Sequence, residues 1–309
     1  MNSEKPVIIK IDDTKEAIDA YKQYLETLPK DSKERKCIME YPTVYIHSRI
    51  AENGKYDVYI GETNNIFQRT RQHFASVKDE NDWQHDLIGS NNATVRFIGH
   101  PHFNKSLTLD VEDRFMLYLS AVENTNPLKN ARGNEQGFYY TSEEAIGTFA
   151  GIWQELHKSD RKLFPDAATV EDSAIFKASP FHKLYPDQEQ AKNAILSIIN
   201  YALTVPNEER GQVIVVEGES GTGKTVLNSS LFYELCNEED MTTHEKCWNC
   251  HLVINHDEQL KVYKDIAKKL MLTSVDKEFI TKPTTFINQY YKKFNLTLYN
   301  CVVDKWLKY

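Results

Sequence analysis

The 309-residue sequence has no run of 18 apolar residues and no excess of basic residues. The first absence excludes a membrane-spanning helix, which needs about 20 consecutive apolar residues. Acidic residues outnumber basic residues by 45 to 37, and this net charge of −8 excludes a generally basic nucleic-acid coat protein. The first residues also lack the apolar stretch and cleavage site of a secretory signal, so we expect a cytoplasmic protein.

Cysteine is scarce, and the five cysteines are an odd number, which favours free thiols in a reducing compartment. Cys247, Cys250 and His251 have the spacing of a haem-attachment site, but that chemistry needs an oxidising compartment. A zinc site that also used His244 would lack the second cysteine pair of a conventional finger. We therefore predict neither haem nor a zinc finger.

The composition, 40% hydrophobic and 27% charged, is that of a globular protein, and the length suggests about two domains. We predict an α/β protein in which a small sheet flanked by helices is followed by a parallel α/β domain. The predicted divisions are an N-terminal strand and helix (1–35), a first domain (36–158), a linker (159–180) and a second domain (181–309).

The first half of the chain alternates apolar segments with turn signals. Two β-branched and aromatic segments flank Asn53-Gly54, which is a strong hairpin signal. Thr14 and Asn64 are candidate N-caps of helices. The predicted elements are strands at 7–11, 43–47, 56–60 and 93–99 and helices at 14–28, 64–78, 110–123 and 141–158.

The second half alternates helical and apolar segments in βα order, which indicates a parallel sheet. The predicted elements are helices at 187–203, 224–236, 258–271 and 284–294 and strands at Gln212–Glu217, 252–255 and 296–303.

The segment Gly218–Thr225 reads GESGTGKT and matches the G-x-x-x-x-G-K-[ST] phosphate loop. Glycines let the backbone wrap closely around phosphate oxygens, at a helix start where the helix dipole favours anions. We expect Lys224 to contact the β- and γ-phosphates and Thr225 to bind Mg²⁺. The pattern predicts ATP binding, with the glycines contributing backbone contacts: Gly218, Gly221 and Gly223.

Two residues outside this loop are candidates for the same site. Asp304 follows an apolar strand, where the second Mg²⁺ ligand is expected. Many ATPases place a glutamate directly after it, but this chain has Lys305, so binding of ATP is better supported than hydrolysis. Gln188 resembles the glutamine that contacts adenine in many helicases, and the alternative for Gln188 is an exposed helix N-terminus.

The stretch NHDEQLKVY (255–263), together with the phosphate loop, resembles a bacterial helicase-like ATPase family related to schlafen ATPases. The resemblance covers residues 181–304, about the first third of that family's domain. It implies an ATP-binding helicase-like module, which we expect to be truncated. Where the family reads VVDEAH this chain reads VVDKWL.

The hairpin and the two helices that follow it carry residues suited to phosphodiester cleavage. Tyr45 and Tyr59 lie on the two hairpin strands, and Arg69 and His73 lie four apart on the next helix and share a face. Glu112 lies on the later helix. Phenols, a cation, an imidazole and a carboxylate are the groups that activate water, stabilise a phosphorane and hold a divalent metal.

This set resembles the GIY-YIG nuclease family over residues 40–135. The first family segment is degenerate here, Thr43-Val44-Tyr45, whereas Tyr59-Ile60-Gly61 is intact. The resemblance implies that Tyr45 is a general base or water-positioning group, that Tyr59 assists, and that Arg69 binds the scissile phosphate. It also implies proton transfer or phosphate contact by His73, Mg²⁺ or Mn²⁺ on Glu112, and a local structural or substrate contact by Asn130.

These predictions combine into a metal-dependent endonuclease that hydrolyses DNA, with RNA as the alternative substrate, coupled to an ATP-binding helicase-like module. The competing interpretation is an ATP-dependent nucleic-acid-binding motor or switch whose N-terminal domain binds but does not cut. Neither interpretation involves a membrane.

Overall fold

The computed structural model describes residues 4–76, 87–88, 90, 92–129, 142–204, 213–238, 249–274, 278–294 and 302–303. Two compact units divide the chain, Met1–Ser173 and Ala174–Tyr309. The division falls inside the expected linker, 159–180, which carries two short helices, α6 (Ala167–Asp172) and α7 (Ala174–Lys177). Asn130 and Asp304, two of the predicted site residues, lie outside the described residues.

A four-stranded antiparallel sheet forms the centre of the first unit, within its described part, and its strand order is β1-β4-β2-β3. The predicted strands and hairpin are confirmed, and the strand at the N-terminus pairs along its whole length with β4. Residues 4–35 therefore lie within the first compact unit. The strands are β1 (Val7–Asp12), β2 (Thr43–Ile50), β3 (Tyr56–Thr63) and β4 (Thr94–Gly99).

Helices cover both faces of this sheet. Alternation along β2 places Tyr45 on the face that also carries Phe97 and packs against Ile18 and Leu25 of the first helix. The opposite face carries Arg96, which contacts Asp160 and the ring of Phe164. The helices of this unit are α1 (Lys15–Thr27), α2 (Lys33–Arg35), a π-helix (Lys36–Glu40), α3 (Ile66–Ser76), α4 (Lys105–Ala121), a 3₁₀ turn (Ser142–Glu144), α5 (Ala145–Ser159) and α6.

Capping side chains mark the first turn of several of these helices. The Thr14 hydroxyl accepts from the amide of Ala17, as predicted. The helix predicted from Asn64 begins later, because Asn65 is the residue whose Oδ1 accepts from the amide of Gln68. The helix predicted at 110–123 begins at Lys105, because the side chain of Asn104 caps it.

The described part of the second unit contains a three-stranded parallel sheet with the order β6-β5-β7. Parallel pairing was predicted, but the short strand β6, which lies between β5 and β7 in the sequence, was not. The helices are α7, α8 (Pro186–Thr204), α9 (Lys224–Asn237), α10 (Asp257–Lys269) and α11 (Pro283–Phe294), and the strands are β5 (Leu252–Val253), β6 (Ile280–Thr281) and β7 (Val302–Val303).

The strand predicted at Gln212–Glu217 is wrong for its described residues, 213–217, which have no regular secondary structure. Val213 and Val215 are 86% and 73% exposed. A β-branched run becomes a strand only when a neighbouring backbone supplies hydrogen-bond partners, and no described strand pairs with this run. Among the described residues, no helix combines the length and apolar character that crossing a bilayer requires.

Candidate functional site

The hairpin and α3 bring four predicted residues together on one face of the first unit's sheet. Tyr45 lies opposite Gly61, and Tyr59 lies opposite His47, so both tyrosines project from the same face. The Tyr45 hydroxyl is 2.9 Å from Nε2 of His73. Nε of Arg69 donates to the same hydroxyl at 3.3 Å. The rings of Tyr45 and Tyr59 stack with their centroids 6.2 Å apart.

The protonation states follow from burial. Burial first, and then the electrostatic influence of His47 and Arg69, lowers the pKa of His73 to about 3, so its imidazole is neutral at pH 7. Burial raises the pKa of the Tyr45 hydroxyl, although the hydrogen bond from Arg69 opposes this shift. Tyr45 is therefore a neutral phenol that donates to His73 and accepts from Arg69. A neutral phenol fits the predicted water-positioning role better than that of a base.

The glycine of the Tyr59-Ile60-Gly61 segment makes room for this contact. The Tyr45 side chain crosses to the neighbouring strand, and a Cβ at position 61 would overlap its hydroxyl oxygen. A glycine is therefore needed at position 61 because the Tyr45 side chain approaches its backbone closely, and not because the backbone angle is unusual.

Arg69 is the member of this set that solvent reaches most easily. Tyr45 and His73 are 1% and 3% exposed, whereas Arg69 is half-buried and its Nη1 donates to Oε1 of Gln72. The pKa of Arg69 is raised: burial lowers it, but the neighbouring hydroxyls of Tyr45 and Tyr59 outweigh that effect. A permanently charged guanidinium at the rim suits contact with a phosphate oxygen.

Glu112, the predicted metal ligand, is carried by α4 on the other face of the sheet. The hydroxyl of Thr108, one turn earlier, donates to Glu62, and Glu62 is paired with Val44 on the face opposite Tyr45. Glu112 is buried, and it takes no part in the hydrogen bonds that join Tyr45 to His73 and Arg69. Its membership of the site stays a prediction, as does that of Asn130.

The described residues contain no group of three or more His, Cys, Asp or Glu side chains that could hold a metal ion. Mg²⁺ in phosphoryl-transfer sites commonly takes one or two protein carboxylates and completes its shell with water and substrate phosphate. A single carboxylate such as Glu112 has the ligand type that this mode of binding requires.

The site contains two residues that were not predicted, Asp13 and His47. Nδ1 of His47 lies 2.6 Å from Oδ2 of Asp13, and both side chains are fully buried. His47 was detectable in principle, since it lies two residues after Tyr45 on the same strand and so shares its face. Nothing in the sequence around Asp13 indicates its neighbour, because the two residues meet only through sheet pairing.

The phosphate loop of the second unit leads directly into α9. Gly223 is the residue before the helix and has a left-handed backbone with φ of 81°. Nζ of Lys224 lies within the loop and donates to the carbonyl oxygens of Gly218 and Glu219, at 2.7 Å each. The first amides of a helix and a lysine ammonium thus converge, which is an arrangement that suits phosphate.

Gln188 contacts this loop, as its predicted membership of the nucleotide site requires. Its Nε2 donates to the carbonyl oxygen of Thr222 at 2.8 Å, and its Oε1 accepts from the amide of Tyr185. A Cβ at Gly223 would overlap the same Nε2, so the side chain packs directly on the loop. A direct contact with adenine stays a prediction.

A tyrosine of α10 forms hydrogen bonds with the first turns of α9. The Tyr263 hydroxyl donates to the carbonyl oxygen of Thr225 at 3.1 Å, and Ser229 donates to that hydroxyl. These bonds fix the helix start that carries the Thr225 side chain. The donor set fits a magnesium nucleotide, whose metal ion Thr225 would bind.

One comparison with known proteins concerns the second half of the chain. Residues 211–303 match the family model of the Schlafen group 3 DNA/RNA helicase domain, and this range contains the phosphate loop. The chain is also 31% identical over 121 residues to the uncharacterized protein YPL245W of Saccharomyces cerevisiae, a stretch that covers 36% of this chain and 25% of the yeast protein. The chain thus spans about a quarter of that relative's length.

No solved structure matches this chain. The match at 211–303 supports the predicted schlafen-related, helicase-like segment and, with it, a nucleotide-binding module related to nucleic-acid ATPases. The GIY-YIG resemblance of the first unit stays a prediction.

Proposed function

We propose that this protein processes nucleic acid: the second unit binds ATP, and the first unit hydrolyses a phosphodiester bond of DNA. The observation that carries the proposal is the hydrogen-bonded cluster of Tyr45, His73 and Arg69, with its cation at the rim. The helicase-domain similarity of residues 211–303 supports nucleic acid as the common target of both units.

The cluster suggests how the first unit would act. The hydrogen bond to Tyr45 occupies Nε of Arg69 and Nη1 donates to Gln72, so the guanidinium is held at the rim, where a substrate phosphate would meet its charge. When water attacks phosphorus and the bond to the leaving oxygen breaks, negative charge accumulates on the phosphate oxygens beside this guanidinium. Glu112 would hold Mg²⁺ or Mn²⁺, which when bound polarises the phosphate and lowers the pKa of water.

Nicking of supercoiled plasmid by the full chain with Mg²⁺ tests the cleavage proposal. We expect Arg69→Ala to lower the nicking rate by about 100-fold, because a charge-stabilising donor is lost. Arg71→Ala is the matched control, since Arg71 lies on the same helix but pairs with Asp19 at the surface. Equal nicking by Arg69→Ala and wild type, or loss of nicking in Arg71→Ala, would contradict the assigned role of Arg69.

Binding of a fluorescent ATP analogue tests the second unit. We expect Lys224→Ala to weaken binding by about tenfold or more, because the variant loses a charge-assisted contact to phosphate. Lys261→Ala on the exposed side of α10 is the control and should bind like wild type. Unchanged affinity in Lys224→Ala would remove the phosphate loop from the proposal.

A second candidate function is an ATP-dependent nucleic-acid-binding motor or switch without cleavage. The burial of Tyr45 and His73 favours it, because a substrate phosphate then reaches Arg69 more easily than the phenol or the imidazole. Wild-type protein that binds DNA in a salt-dependent manner but leaves plasmid intact, with Mg²⁺ or with Mn²⁺, would establish this alternative.

A further inference from the structure

Asp13 and His47 form a fully buried pair beside the tyrosine cluster, which consists of Tyr45, Tyr59, Arg69 and His73. The distance of 2.6 Å between Nδ1 of His47 and Oδ2 of Asp13 is that of a strong hydrogen bond. Asp13 follows β1 and is fixed by its own amide, which donates to the carbonyl oxygen of Ala93 at 3.0 Å. The pairing of β1 with β4, and of β4 with β2, brings this residue to His47.

The ring of His47 contacts three rings of the candidate site. Its centroid lies 5.4 Å from that of Tyr45, 6.1 Å from that of Tyr59 and 5.6 Å from that of His73. All three contacts are close to edge-to-face, with interplanar angles of 83°, 62° and 80°. The His47 imidazole thus packs against the rings of Tyr45, Tyr59 and His73.

The pair is costly to bury. Oδ1 of Asp13 has no hydrogen-bond partner among the described residues, although it is shielded from solvent. Burying a carboxylate oxygen without a partner costs folding free energy. Residues of similar size and apolar character would fill this space at lower cost, so the pair calls for an explanation beyond packing.

We propose that Asp13 and His47 are a positioning pair, which holds the Tyr45 hydroxyl on His73 and Arg69 for the reaction of the first unit. The Asp13 carboxylate accepts the Nδ1 proton of His47 and thereby selects one tautomer and one orientation of the imidazole. The fixed imidazole keeps the rings of Tyr45 and His73 from turning. The catalytic part of this inference rests on the proposed function, whereas the structural part does not.

The wild-type protein itself provides the first test. Proton–nitrogen NMR spectra of the full chain with ¹⁵N-labelled histidine report which ring nitrogen of each histidine carries the proton. We expect a neutral His47 protonated at Nδ1, or a doubly protonated His47, with either state donating from Nδ1 to Asp13. A His47 that carries its proton at Nε2 alone would overturn the inference without any variant.

The second test uses Asp13→Asn, which keeps the shape and removes the charge. We expect the Nε2 resonance of His73 to move, and the kcat of plasmid nicking to fall about tenfold or more while KM changes less than about twofold. A displacement of about 1 Å at a reacting group can cost as much as about 100-fold in rate. His47→Gln should give the same pattern if Asp13→Asn fails to fold.

Asp57→Asn is the matched control. Asp57 is also a buried carboxylate on this face of the sheet, but it accepts hydrogen bonds from Arg49 and Asn126 rather than from a site residue. It should leave the His73 resonance and kcat unchanged. A folded Asp13→Asn with a wild-type His73 resonance would refute the positioning role, whereas absence of nicking in the wild type would refute only the proposed function.

Discussion

Gly61 stands where any larger residue would displace the Tyr45 hydroxyl. We expect Gly61→Ala to lower the free energy of unfolding by about 1–3 kcal/mol, because the added Cβ overlaps that hydroxyl in a packed region. The measurement is the urea midpoint of the full chain. Gly147→Ala is the control: it lies in α5 with open space around its Cβ position, and should raise stability by up to about 1 kcal/mol. Equal effects of the two substitutions would contradict the close approach at Gly61.

His73 makes the stability of the first unit depend on pH. Its pKa of about 3 in the folded chain lies below the ordinary value of 6.5, so the unfolded chain binds the extra proton between these values. Stability is therefore complete above about pH 6.5 and falls as the pH falls toward 3. Between about pH 7 and pH 5, wild type should lose about 2 kcal/mol more than His73→Gln.

Urea unfolding of both proteins at the two pH values measures this difference. Taking wild type minus variant removes the other groups that titrate in the same range, such as His100, whose pKa burial also lowers. Parallel pH profiles for the two proteins would mean that His73 is not buried as a neutral acceptor.

Among the secondary-structure elements, α3 depends on the side chain that caps it. The Asn65 carbonyl oxygen accepts the first helical bond, from the amide of Arg69, and its side chain accepts from Gln68. We expect Asn65→Ala to lower the free energy of unfolding by about 1 kcal/mol, and the cap's loss to loosen the helix start that carries Arg69. Asn64→Ala, one residue earlier, should have little effect, and thermal unfolding monitored by circular dichroism distinguishes the two. A larger loss of stability in Asn64→Ala than in Asn65→Ala would show that Asn64, the cap predicted from the sequence, is the residue that caps α3.

These elements show why the sequence predicts that a helix or strand exists better than it predicts where that element begins and ends. Helical spacing was enough for α1, and the Asn53-Gly54 turn between two β-branched and aromatic segments was enough for the hairpin, since each signal lies within one segment. Asn64 and Asn65 are equally good caps by residue type, and only the bond to Gln68 decides between them. The apolar run at Gln212–Glu217 has the composition of a strand but, in its described residues, no neighbouring strand, so composition alone was misleading.

In the whole molecule, residues 4–35 belong to the fold of the first unit. Ile18 and Leu25 of α1 are buried in the core that contains Tyr45, and β1 pairs with β4 over six residues. We expect a fragment of residues 1–173 to fold and to unfold cooperatively in urea. A fragment of residues 36–173 should not fold, because burial of each such side chain contributes about 1.5–3 kcal/mol.

Chemical denaturation of both fragments, followed by circular dichroism, provides the measurement. A stable, cooperative fragment 36–173 would show that the predicted domain start at residue 36 is the physical one. It would also separate Asp13 from the candidate site.

The parts of this protein that sequence alone could establish are those in which the chemistry lies within a short segment. The phosphate loop is one contiguous stretch whose glycines, lysine and following helix are neighbours in the chain, and Tyr45 and Tyr59 are joined by one hairpin. The buried contact between Asp13 and His47, the overlap that requires Gly61 and the face of the sheet on which Glu112 lies depend on which strands pair and in what register. Pairing is a long-range property, because it depends on the packing of all the elements together, and only the tertiary structure could decide it.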